Sequence, residues 1–185
     1  MKAIASANDV LIDILEDNRR RVKRAVNDLD KACLYWSSDG EANSIAVTLW
    51  HMGRLLDVFF VRQAHDKPAA EECWISNGWA ERTGYNPHGI GRDGWGSVNG
   101  YTQEEVAAIP RMTIEQLLGY LDEVYDRVRD YFETTSIEAM QAKAPGFDGQ
   151  FSIYQCIQMA LLDNIRHLGE ITTIKALWDR QQIRD

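Results

Sequence analysis

Apolar residues recur along four stretches of the chain at spacings of three and four, the mark of helices that bury one face. The first stretch runs from Asn8 to Leu29 with Val10, Leu11, Ile14, Leu15, Val22, Ala25, Val26 and Leu29 on one stripe. The polar run Ser37 to Glu41 interrupts the pattern, and Asn43 or Ser44 can cap a second helix from about Ile45 to Ala64. Its core face comprises Ile45, Thr48, Leu49, Met52, Leu55, Leu56 and Phe59, and Pro68 closes its exit. Thr113 with Gln116 has the side chains of a capping box, and Ile114, Leu117, Leu118, Leu121, Val124, Val128 and Phe132 carry a third helix. After a connection from Thr134 to Gln150, Ser152 can cap a fourth helix that continues to about Trp178.

Between His65 and Pro110 the periodicity stops. The segment holds Gly78, Gly84, Gly89, Gly91, Gly94, Gly96 and Gly100 together with Trp74, Trp79, Tyr85, Trp95 and Tyr101. Turns, and one short helix over Thr102 to Ala107, are expected there. Its aromatic residues predict that it packs on the helices, because unstructured linkers are poor in them. No alternating strand pattern and no internal repeat is present, so the reading is all-α, a four-helix bundle forming one domain over residues 1–185. A long connection between the second and third helices lets that pair run parallel.

Composition narrows the function classes. A net charge of −8 and the lack of a basic stripe interleaved with aromatics argue against nucleic acid as a partner. The densest basic run, Arg19, Arg20, Arg21, Lys23 and Arg24, is flanked by Glu16, Asp17 and Asp28 and reads as a solvated helix face. No run of about 18 apolar residues is present and Met1 to Ser6 carries no leader core, so no membrane association and a cytoplasmic location are expected. Cys33, Cys73 and Cys156 are odd in number and lack CxxC spacing, which points to reduced thiols rather than disulfides or a cysteine zinc site.

Asp163 and His167 stand four apart on the fourth helix, so a carboxylate and an imidazole face one point. On spacing alone, the commoner reading is a core histidine hydrogen-bonded to its aspartate. The other reading is a chelating pair awaiting a third ligand, and His51 is the one histidine in another helical stretch. Two imidazoles and a carboxylate suit Zn²⁺, Ni²⁺ or Fe²⁺ and leave positions open. His65 and His88 fall in the connection and are expected to face solvent, although His88 could approach the mouth of a site.

Three segments carry a resemblance: Ser44-Ile45-Ala46-Val47-Thr48-Leu49-Trp50-His51-Met52-Gly53-Arg54, Gly78-Trp79-Ala80-Glu81-Arg82, and Ile165-Arg166-His167-Leu168-Gly169-Glu170. Together they resemble the DinB/YfiT-like metalloenzyme superfamily over most of the chain. The resemblance implies a bundle in up-down-down-up order with a long crossover between helices two and three. It also implies a divalent metal held by one histidine of the second helix, here His51, and by a His-x-x-x-His pair of the fourth. The last of that pair maps to His167, and the first falls on Asp163. A carboxylate at that place resembles the mycothiol-dependent maleylpyruvate isomerase branch.

Around these ligands, Glu170 could orient a ligand histidine or accept a proton, and Arg54 could hold a substrate carboxylate. The loop with Trp74, Trp79 and Trp95 could roof a cavity, with Trp79 a candidate substrate contact. The resemblance thus implies a thiol S-transferase or thiol-dependent isomerase. Its metal would be Zn²⁺ or Ni²⁺, with Fe²⁺ or Mn²⁺ as alternatives. Its partners would be a low-molecular-weight thiol and an electrophile, and its assembly a homodimer. A metal-dependent hydrolase or amidase, with Glu170 as base, and a non-catalytic metal- or ligand-binding stress-response protein are the alternatives.

Overall fold

The computed structural model describes residues 6–97 and 99–183, and the N-terminal residues on which the expectation of no leader rests lie largely outside them. In chain order the helices are α1 (Ala7–Val26), α2 (Lys31–Leu34), α3 (Ile45–Val58), α4 (Cys73–Ser76) and α5 (Trp79–Thr83). There follow α6 (Gln103–Ala107), α7 (Ile114–Thr134), α8 (Ile137–Met140) and α9 (Ile153–Gln182). Among the described residues there is no strand, only a lone bridge between Lys143 and Ser152.

The long helices start where local chemistry starts them. Thr113 with Gln116 and Ser152 with Gln155 form reciprocal capping boxes, so the first free N–H groups of α7 and α9 are satisfied by neighbouring side chains. Of the two candidates at the head of α3, Ser44 is the cap. The first helix stops three residues before the expected Leu29, because the side chain of Asp30 accepts from Cys33 N–H and opens a separate turn, α2. The second predicted helix reaches Ala64 as expected, but Phe59–Ala64 is a π-helical continuation of α3.

The four long helices close a ring of contacts: α7 packs on α1 and on α3, and α9 packs on α3 and on α1. Leu15, Val22, Leu49, Leu56, Val128, Phe132 and Ile157 are fully buried in the shared interior. Arg19 departs from the expected solvated face. It bonds Asp122 at 2.6 Å and Asp126 at 2.7 Å, while Lys23 reaches Asp122 at 2.8 Å, so part of the basic run ties α1 to α7.

The crossover between α3 and α7 packs as its aromatic content suggested. Trp74 of α4 meets Trp50 of α3 edge-on at 4.3 Å and Tyr120 of α7 at 4.9 Å. Asp57 anchors the head of α4 by accepting the N–H groups of Cys73 at 2.9 Å and Trp74 at 3.1 Å, and it also accepts the Tyr120 hydroxyl at 3.0 Å. The helix α6 matches the one short helix expected. Where only turns are expected, α4 and α5 are two further short helices; Gly78 and Gly84, both left-handed, bound α5 too closely for an apolar period to show.

Gly53 of α3 lies directly against the Tyr120 ring of α7. A Cβ there would lie 2.6 Å from Tyr120 Cε1, and the ring cannot swing away without losing its bond to buried Asp57. Gly53→Ala is therefore expected to lower unfolding stability by about 1–2 kcal/mol, overpacking exceeding the gain in helix propensity. Chemical denaturation of the two proteins checks this, and an alanine variant as stable as the parent would contradict the close contact.

Candidate metal centre

Helices α3 and α9 lie side by side, and the contact brings His51 of the one to Asp163 and His167 of the other. His51 Nε2 lies 3.0 Å from Asp163 Oδ2, and His167 Nε2 lies 3.1 Å from the same oxygen. All three donor atoms fall within 4.8 Å of one another, and the side chains are 12%, 17% and 19% exposed in chain order. Bonds of about 2.0–2.2 Å to a common ion place neighbouring donors roughly 3.0–3.4 Å apart, so the two short edges already suit a shared cation.

The far side of each ring is tied down. His51 Nδ1 donates to the Ser97 carbonyl, and His167 Nδ1 donates to Glu170 Oε2 at 2.5 Å. Both imidazoles thus keep Nε2 for the centre, which is the arrangement that orients metal-ligating histidines. The second oxygen of Asp163 meets Arg166 at 3.2 Å, leaving Oδ2 as the inward donor. The donor set N, N, O fits a divalent ion: a cation among them would displace the proton that His167 holds and offset the carboxylate charge.

Beside the three donors opens a cavity of about 430 Å³. Leu55, Phe59, Trp95 and Met159 form its apolar side, and Asn43, Asn99 and Arg166 its polar rim. Leu55 and Phe59 follow His51 at successive turns of one helix, and Met159 precedes Asp163 by one turn, so these three positions share a face with the donors, whereas Trp95 comes from the crossover.

A family model of the DinB superfamily matches residues 14–171. The chain belongs to the DinB superfamily. Its fold is similar to the crystal structure of a conserved protein from Enterococcus faecalis, with a TM-score of 0.75 and 16% identity over 94% of this chain and 98% of that one. No curated protein matches it.

In this DinB chain the three expected ligands converge, and Glu170 stands behind His167 as its hydrogen-bond partner. Arg54 and Trp79 lie elsewhere. Arg54 is wholly buried and committed to Glu72 and to crossover carbonyls, and neither it nor Trp79 lines the cavity. Trp79 packs under Arg82 and donates Nε1–H to Glu123 at 2.7 Å, while Trp95 is the crossover tryptophan that walls the cavity. Of the other histidines, His65 is not solvated as expected: it is half-buried beside Phe60 and Tyr131 and bonds the Phe60 carbonyl at 2.7 Å. His88 is exposed and outside the cavity. The Ser97 carbonyl carries no signal in the sequence, since any residue supplies one.

Proton and cation compete for the same atoms. Hydrogen bonds to Asp163 and then to Glu170 push His167 up to about 9 in the metal-free protein. Partial burial acts to raise Asp163, but the bonds from His167 and His51 outweigh it and hold the carboxyl well below its ordinary range. The stabilisation from protonated His167 is complete below its unfolded value near 6.5 and is lost as pH rises through about 9. That from Asp163 is present above its unfolded value of about 3.8 and is lost as pH falls towards its depressed folded value. The metal-free DinB protein is therefore expected to hold its melting temperature between about pH 5 and 7 and lose it towards pH 9, whereas His167→Ala should flatten the alkaline arm. Thermal melts in chelator across pH check this. Divalent-metal affinity should move oppositely, rising about tenfold per pH unit up to about 9 as His167 sheds its proton.

Proposed function

We propose that this DinB protein is a divalent-metal-dependent enzyme that uses a low-molecular-weight thiol, as an S-transferase or a thiol-dependent isomerase. The observation that carries the reading is the convergence of His51, His167 and Asp163 on one point at the wall of an open, half-apolar cavity. Zn²⁺ and Ni²⁺ are the ions we favour for this donor set. A divalent ion bound there would act as a Lewis acid that lowers the pKa of an incoming thiol.

The chain's own groups supply the rest. Ser97 and Glu170 fix the ligand rings, Arg166 offers a cation at the rim for an anionic substrate group, and Leu55, Phe59, Trp95 and Met159 receive an apolar electrophile. The thiol must come from outside: Cys33, Cys73 and Cys156 are all buried, none lines the cavity, and burial pushes Cys33 up to about 11. The hydrolase alternative draws less support, because Glu170, its intended base, is engaged by His167 Nδ1 and lies outside the cavity lining. The ring of contacts among the long helices supports the finer architectural reading as well, a four-helix bundle in up-down-down-up order with the crossover joining its second and third members.

Purified protein reloaded with Zn²⁺ or Ni²⁺ should retain one ion per chain. His51→Ala and His167→Ala should each weaken retention by more than the roughly 10- to 100-fold produced by losing an outer hydrogen-bond partner, and His65→Ala should leave it unchanged. Loaded protein given bacillithiol, mycothiol or glutathione with monochlorobimane should form the fluorescent adduct. Absence of adduct with every thiol and metal would remove the transferase reading, and absence of retained metal would remove every metal-based one.

A further inference from the structure

Four consecutive carbonyls of the crossover are held by side chains of one helix and its continuation. Arg62 donates to Gly94 O at 3.4 Å, and Arg54 donates to Trp95 O at 3.0 Å and Gly96 O at 3.3 Å. His51 Nδ1 donates to Ser97 O. The two arginines are held in turn by a single carboxylate, Glu72, which accepts from Arg54 Nη2 at 2.9 Å and from Arg62 Nε at 2.6 Å. Arg54 and Glu72 are both wholly buried. Arg54 Nη1 faces the Tyr120 hydroxyl at 3.5 Å and Asp57 Oδ2 at 3.6 Å, so the guanidinium is fixed from every side.

We infer that Arg54 is a positioning residue for the metal centre, acting through the 94–97 segment: it sets the Ser97 carbonyl against His51 Nδ1, and so presents His51 Nε2 to Asp163 and His167. The geometry gives this step by step. The carbonyl that orients His51 is the residue next to the one gripped by Arg54 Nε, and one peptide unit leaves little slack between them. The same grip sets Trp95, whose ring packs on Phe59 at 5.4 Å and walls the cavity. Only a planar fork can serve two carbonyls and a carboxylate at once, which a lysine ammonium cannot reproduce. Arg54 thereby acts on the centre without touching it. The inference deepens the metal-centre reading and rests on it, while its first readout needs no metal.

The segment can be displaced independently of Arg54. Gly96 has φ +61°, and a Cβ there would lie 2.5 Å from the Pro87 carbonyl oxygen, so Gly96→Ala must shift the same peptides. In ¹⁵N NMR of the metal-free parent, His51 is expected to carry a slowly exchanging Nδ1 proton; a parent without it overturns the inference at once. Arg54→Lys and Gly96→Ala are each expected to lose that protection, leave the His167 ring signals in place, and weaken Zn²⁺ affinity by about 10- to 100-fold in chelator competition. Either variant, folded by circular dichroism, that keeps the protected His51 proton and the parental Zn²⁺ affinity overturns it, as does a fall in melting temperature alone. Should Arg54→Lys fail to fold, Gly96→Ala decides. If the parent binds no Zn²⁺ yet loses His51 Nδ1 protection in the variants, the positioning role stands and the metal reading falls.

Discussion

Arg54 keeps a permanent charge at a place with no solvent exposure, and a charge so placed is tolerable only where carboxylate and carbonyl oxygens replace its water. Its partners come from a different part of the chain: Glu72 just ahead of α4, and the carbonyls of Trp95 and Gly96 late in the crossover. Neither Arg54 nor Glu72 is satisfied until the crossover has settled on α3. Stranding one member of such a pair costs about 3–5 kcal/mol, a large share of the roughly 5–15 kcal/mol that holds a domain together. The irregular segment is thereby tied to α3 by buried, charge-assisted hydrogen bonds. Asp57 does the same for the head of α4 through two backbone N–H groups.

What the sequence made legible was local. Capping pairs such as Thr113 with Gln116 involve residues three apart, and the candidate donors of α9, Asp163 and His167, are one turn apart, so both follow from helical geometry alone. His51 needed more, since its pairing with α9 spans 112 positions: spacing offered it only as the one histidine in another helical stretch, and the family resemblance added the reason to pair them. The illegible parts are those decided by which neighbour covers a face. Arg54 is one turn from His51 and could have faced the cavity; the buried Glu72 opposite turned it inward. Trp79 follows the same logic, its indole drawn to Glu123. Arg19 and Lys23 became an α1–α7 clasp because Asp122 and Asp126 lie opposite, which no periodicity on α1 reveals. Backbone partners such as Ser97 O are invisible in principle, since composition does not distinguish one carbonyl from another.

The aspartate at position 163 changes the electrostatics of the centre relative to a triad of imidazoles. Were a divalent ion bound there, an anionic donor would offset one unit of its charge and leave one to attract a further anion. It also fits two histidines that already converge on a single oxygen, with Arg166 occupying the other. The shorter arm is compatible with this because α3 and α9 pack directly, bringing His51 to within hydrogen-bond distance of that oxygen.

Because Ser97 reaches the centre through His51, an occupant there would touch α3 and α9 directly and the crossover at one remove. Binding confined to the folded state adds RT ln(1 + [L]/Kd), about 2.7 kcal/mol at a hundredfold excess over Kd. A change of that size alters the unfolded fraction about a hundredfold, and it is the unfolded fraction that proteases consume. The lifetime of this chain in a living cell would then follow the supply of whatever fills the site, so that scarcity of the occupant would thin the protein population itself as well as silence individual molecules.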